Sequence, residues 1–189
     1  MNTAVKTIYQ HHRLTVADYH RMGQVGIFSA DDRVELIEGE IIDMAPIVSE
    51  HAGTVKFLAN ALRIAVGGRA IISVQDPIFL DRYSEPEPDV ALLKPRNDFY
   101  RSAHPRPEDV LLIIEVADTT LRYYREIKAP LYARHGIPEL WIVDLENRCL
   151  EVFRAPAEAV YQEVKGIERA GVLTPVALPD VSIDLKGLF

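Results

Sequence analysis

The sequence predicts an α/β protein, more narrowly an α+β mixed sheet with flanking helices and additional β-hairpins, and three observations predict it. Three apolar runs, PDVALL at 88–93, DVLLIIEVA at 109–117 and ELWIVDL at 139–145, do not alternate as half-exposed strands do, and read as strands buried on both faces. One long stretch, SEHAGTVKFLANALRIAVGG at 49–68, repeats apolar residues at spacings of three and four, the period of an amphipathic helix. Two short runs, VELI and EIIDM, flank Glu38 and Gly39 as the arms of a tight hairpin. The resulting order of helix, strand pair, helix, strands, helix and strands calls for helices packed against a mixed sheet.

Along the chain, residues 1–14 read as an N-terminal extension and residues 15–189 as a single domain. Thr15 with Asp18 marks the start of a short helix that ends near Gly23 or Gly26. A turn at Ser29–Asp32 leads to the hairpin, whose Glu35–Leu36 and Ile41–Asp43 alternation fits half-buried strands. Ser49 is expected to cap the long helix and Gly67 with Gly68 to close it. AIISVQDPIFL then reads as a strand, bent or bulged near Asp76 and Pro77, and Pro88 opens the next strand, where its missing N–H does least harm. A basic, proline-containing loop, RNDFYRSAHPRPED, precedes the central apolar run. Thr119–Gly136 reads as a helix, with Pro130 either bending it or lying in the first turn of a late start. ELWIVDL and CLEVFR form a hairpin about the ENR turn, and the segments AVYQEVKGI, ERAGVLTPV and VSIDL are expected as short strands at one edge.

The 48% hydrophobic and 26% charged fractions over 189 residues are those of one ordinary globular domain. No apolar run is long enough to span a bilayer, and MNTAVKTIYQ lacks the apolar centre of a signal peptide, so a cytoplasmic location is expected. The single cysteine, Cys149, excludes an intramolecular disulfide and a Cys-rich zinc site. A formal charge of −7 argues against a protein that coats nucleic acid non-specifically, but agrees with an enzyme whose acidic residues hold a cation.

Glu115 conflicts with its surroundings. Leu111, Leu112, Ile113 and Ile114 precede it and Val116 follows, and an ionised carboxylate in such a run is costly unless paired or bound to a cation. If the strand of Asp89 pairs with that of Glu115, two carboxylates meet with no His or Cys cluster nearby. That donor set favours a hard cation, above all Mg²⁺. The competing reading makes Asp89 a turn residue after proline and gives Glu115 an arginine partner.

ELIEGEI, a His-containing helix, Gln75 with Pro77, EPDVALL, IIEVADTT, a lysine-bearing helix and YARHGIPELWIVDL together resemble the Uma-type family, restriction-endonuclease-like proteins of the PD-(D/E)xK nuclease superfamily. The resemblance covers residues 15–185. It implies a restriction endonuclease-like core and a metal-dependent endodeoxyribonuclease that hydrolyses DNA phosphodiester bonds with Mg²⁺, or Mn²⁺ in its place. On that reading Asp89 and Glu115 are metal ligands, with the Val116 carbonyl as a third, and Glu35 completes the site from the early hairpin, with Glu40 a second candidate there. The pattern would put lysine two residues after Glu115, where this chain has Ala117. Lys128, on the following helix, is the expected substitute, to orient or deprotonate water and stabilise phosphate charge. Otherwise it is an exposed helix lysine.

Further residues carry weaker readings. His51 could approach the mouth of the site or be structural, Gln75 could bond a metal water or pack at a strand edge, and Asp118 could cap the next helix. Tyr123, Tyr124 and Arg125 read as a solvated helix face or a phosphate contact, Trp141 and Tyr132 as core, and Asp144 as a turn residue. Arg96, Arg101, His104 and Arg106 form a basic loop able to meet DNA phosphates or lie free at the surface. The alternatives to a nuclease are a catalytically degenerate nuclease fold serving as a nucleic-acid-binding or regulatory module, and a structural oligomer joined through the late hairpins. DNA is the expected partner, a homodimer or higher homo-oligomer is allowed, and no membrane is involved.

Overall fold

The computed structural model describes residues 11–29 and 31–189. The expected extension therefore lies mostly outside the described residues. Its last part is strapped to the fold: the Arg13 guanidinium sits 4.0 Å from the centre of the Tyr83 ring, and the Leu14 amide donates to the Gly39 carbonyl at 3.0 Å. Helix α1 (Val16–Gln24) starts at the predicted place, where Thr15 and Asp18 satisfy each other's amides in a capping box.

Strands β1 (Val34–Ile37) and β2 (Glu40–Asp43) form the predicted hairpin. Glu38 and Gly39 both take positive φ, 52° and 86°, as a two-residue hairpin turn requires. The expected half-exposed alternation fails in β1, all four residues of which are buried, Glu35 included. The cause is the segment before Asp89: the Glu85 amide donates to the Leu36 carbonyl at 2.8 Å and the Glu87 amide to the Glu35 carboxylate at 3.0 Å, so β1 is covered.

Helix α2 spans Ser49–Val66 and closes on Gly67 in the left-handed region. Ser49 does not cap it. The cap position is Val48, without a side-chain bond, and Ser49 is already the first helical residue. Strand β3 (Ile71–Val74) ends sooner than expected, because Gln75 at φ 54° turns the chain out of the sheet before Asp76 and Pro77.

The main sheet has the order β3-β4-β5-β6-β7-β8, with β4 Val90–Leu93, β5 Val110–Ala117, β6 Glu139–Asp144, β7 Cys149–Ala157 and β8 Val160–Ile167. Its neighbours are antiparallel except β5 and β6, which run parallel and need a crossover. The crossover is the lysine-bearing segment. A short helix α3 (Leu121–Tyr123) passes through a π turn (Tyr124–Lys128) into α4 (Ala129–Arg134). Pro130 is the second residue of α4, but the helical backbone before it is continuous from Leu121, with Lys128 and Ala129 in the α region, so the helix does not start late. The Ala129 amide reaches back five residues to the Tyr124 carbonyl, so the helical ladder has changed register just before the proline, which has no N–H to contribute.

Side-chain alternation in the sheet separates two cores. Leu112, Ile114, Val116, Trp141 and Val143 pack beneath α2 with Leu58 and Leu62, whereas Ile113, Ala117, Leu140 and Ile142 face Leu131 and Tyr132 of α4. Strands β9 (Val172–Leu173) and β10 (Ile183–Asp184) do not extend the sheet edge as expected but pair with each other. Val181, Ile183, Leu185 and Leu188 join the α2 core, and burying this apolar set there outweighs adding two short edge strands. No described helix is long and apolar enough to cross a membrane.

Candidate active site

The antiparallel register sets Val90 opposite Ile114, so Asp89, one residue before β4, falls beside Glu115 in β5. The Asp89 amide donates to Glu115 Oε2 at 3.3 Å, and the Val116 amide donates to Asp89 Oδ2 at 2.8 Å. Both carboxylates are buried, at 4% and 1% exposure. The two expected ligands and Val116 therefore lie together, with the Val116 amide, at least, spent on Asp89.

Glu115 shares its face of β5 with Ile113 and Ala117, toward α4. There Lys128 Nζ donates to Glu115 Oε1 at 3.0 Å and the Tyr132 hydroxyl to the same oxygen at 2.7 Å. Lys128 also lies 3.0 Å from Glu35 Oε2. The partner of Glu115 is thus this lysine and not an arginine, and Lys128 is 2% exposed, not an open helix lysine. Glu35 further accepts from the Tyr123 hydroxyl at 3.1 Å. Glu40 is exposed on β2 and takes no part.

On the α2 side, Asp89 Oδ1 accepts from Gln75 Nε2 at 3.2 Å and meets His51 Nε2 at 2.9 Å. His51 and Gln75 thus hold Asp89. A cleft of about 440 Å³ opens here, walled by Arg33, Glu35, His51, Asp89, Tyr123 and Lys128.

Electrostatics follow from burial and pairing. Burial pushes the Glu115 carboxyl up to about 7, against the pull of the Lys128 ammonium. Burial also opposes the charge on Lys128, but Glu115, Tyr132 and Glu35 outweigh it and hold the ammonium well above its ordinary range. The bond to Asp89 raises His51, and burial raises the Tyr123 and Tyr132 hydroxyls.

Sequence reasoning missed several members of this assembly. Tyr132 is core, as expected, but its hydroxyl serves Glu115; its aliphatic neighbours gave no sign of that. Tyr123 turns its hydroxyl to Glu35 and is not on a solvated face. Arg33, a flanking residue of the hairpin, supplies a cation at the cleft. Conversely, Arg125 pairs with Glu151, Arg96 folds onto Asp98 and Tyr100, and Arg106 lies over Phe79; none of the basic-loop residues walls the cleft. Asp144 accepts from the Asn147 amide in the turn after β6, and Asp118 lines the cleft.

The donors suit a small hard cation. Asp89 Oδ2 and Glu115 Oε2 each accept one hydrogen bond, from backbone amides, and keep lone pairs for a ligand. Mg²⁺ takes one or two carboxylates and completes its shell with water and phosphate. Asp89, Glu115 and Glu35 are not gathered into a three-residue cluster among the described residues, since Glu35 is held to Lys128.

A family profile described as “Uma2: Putative restriction endonuclease” matches residues 16–186. Among solved structures, one titled as “a putative nuclease belonging to DUF820”, from Anabaena variabilis, superposes with a TM-score of 0.71 at 16% identity, over 93% of this chain and 97% of that one. At that identity it shows a shared fold. No curated protein matches the chain.

Proposed function

The chain belongs to the family described as “Uma2: Putative restriction endonuclease”, and from that premise we propose that it is a metal-dependent endonuclease acting on DNA. The observation that carries the reading is Glu115, bonded by the Asp89 amide on one side and the Lys128 ammonium on the other, behind a cleft that Asp89 and Lys128 line. Asp89 and Glu115 would hold Mg²⁺ or Mn²⁺, with the Val116 carbonyl as a further ligand. When bound, such an ion polarises the scissile phosphate and lowers the pKa of water.

The chain's own groups do the rest. Lys128 orients the attacking water and offsets charge on the phosphate. Glu35, bonded to Lys128, Tyr123 and the Glu87 amide, is a positioning residue that fixes the ammonium. His51 and Gln75 hold the Asp89 carboxylate in one orientation, and Arg33 is the cation placed to meet a backbone phosphate. Residues 15–189 act as one catalytic unit.

Purified protein with Mg²⁺ or Mn²⁺ is expected to nick or cut DNA, and Asp89→Asn or Glu115→Gln to abolish cleavage while the far-UV circular dichroism stays unchanged. Failure to cut supercoiled, linear and single-stranded DNA with either ion would overturn the reading. A second reading, a silent nuclease fold that binds nucleic acid, draws on the double engagement of Lys128 by Glu115 and Glu35. It expects DNA binding without cleavage and no Mg²⁺-dependent gain in Tm.

A further inference from the structure

A second cluster of metal-ligating groups lies outside the Asp89 cleft. Three segments far apart in the chain supply it: α1 carries His20, the turn ahead of β4 carries Glu85, and the loop between β4 and β5 carries His104. One ligand atom from each lies within 4.8 Å of the other two. His20 Nε2 is 2.5 Å from Glu85 Oε2, and the His20 and His104 rings stand edge to face at 6.3 Å.

Glu85 supplies an independent observation. It is 2% exposed, and its Oε1 is the buried side-chain oxygen that lacks a hydrogen-bond partner among the described residues. A buried carboxylate oxygen without a donor is rare and costly. The arginines of the same cleft do not relieve it: Arg82 lies over the Tyr83 ring and Arg106 over the Phe79 ring. A cation at Oε1 would supply the missing partner.

We propose that His20, Glu85 and His104 form a second divalent-metal site of zinc type, separate from the Asp89–Glu115 centre. Two imidazoles and one carboxylate suit Zn²⁺ and not Mg²⁺, which prefers oxygen ligands throughout. The two histidines are exposed while Glu85 is buried, so the site opens into a cleft of about 510 Å³ and leaves a fourth position to water. Glu85 lies four positions before Asp89, which keeps their Cα atoms within about 14 Å of each other. The zinc site cross-links α1 and the long basic loop to the segment that leads into Asp89.

The test is zinc retention by the full-length protein carrying Asp89→Asn, which removes a ligand of the other centre. After exposure to Zn²⁺ and desalting, about one equivalent should remain, as a single three-ligand site requires. X-ray absorption should then show nitrogen and oxygen ligands at about 2.0–2.1 Å. His20→Ala and His104→Ala, both at exposed positions, should each abolish retention, together with the zinc-dependent rise in Tm and the protection of the 94–106 loop from proteolysis. Zinc retained equally by His104→Ala, or none retained by Asp89→Asn alone, would overturn the proposal. DNA cleavage is not the readout, so either outcome leaves the nuclease reading to its own test.

Discussion

Lys128 Nζ lies 3.0 Å from Glu115 Oε1, although the residues are 13 apart in the chain and belong to different layers. The ammonium also meets Glu35, so one buried cation is shared by two buried carboxylates. Lys128→Met would leave both without their charge partner. Breaking a buried pair this way costs about 3–5 kcal/mol. Urea unfolding of the metal-free variant at pH 7.5 should show that loss, with DNA cleavage also lost. A change under about 1 kcal/mol would mean that the pairing does not hold the site.

Glu115 predicts a pH dependence of the metal-free protein. Its carboxyl titrates at an ordinary value of 4.5 when unfolded and about 7 when folded. The folded state therefore keeps a proton that the unfolded state has released, and the stability this contributes is full below pH 4.5 and falls as pH rises toward 7. The change is on the order of 3 kcal/mol. Unfolding free energies measured in chelator at pH 4.5 and 7.5 should differ by less in Glu115→Gln than in the parent. An unchanged difference would show that Glu115 is not the titrating group.

His51 predicts a loss in the same direction, through its own pairing with Asp89. Its pairing with Asp89 raises its pKa above 6.5. The contribution of the pair is full below that value and is lost as pH rises through the folded pKa. His51→Ala should destabilise the metal-free protein more at pH 6 than at pH 9. Equal effects at both values would point to packing alone.

Gly39 supports the site from a distance. Its φ is 86°, and a Cβ there would stand 2.6 Å from the Arg13 Cβ. Gly39→Ala should cost more than about 1 kcal/mol, from positive-φ strain and the clash. Because the hairpin carries Glu35, cleavage should weaken along with thermal stability. Full stability in the alanine variant would rule out this constraint.

The sequence by itself determined the buried strands, the amphipathic α2 and the conflict at Glu115. Each is local: an uninterrupted apolar run, a period of three to four, a charge with no polar neighbour. The family likeness pointed to Asp89, Glu115 and Lys128, and to Ala117 standing where lysine was expected. Only the tertiary structure decided how Lys128 reaches Glu115, because the reach depends on a π turn that re-registers the helix before Pro130. It also decided the burial of Glu35, which local alternation had placed in a half-exposed strand and which the 85–87 segment covers. The meeting of His20, Glu85 and His104 was equally hidden, since contacts across 65 residues of chain leave no periodicity to read.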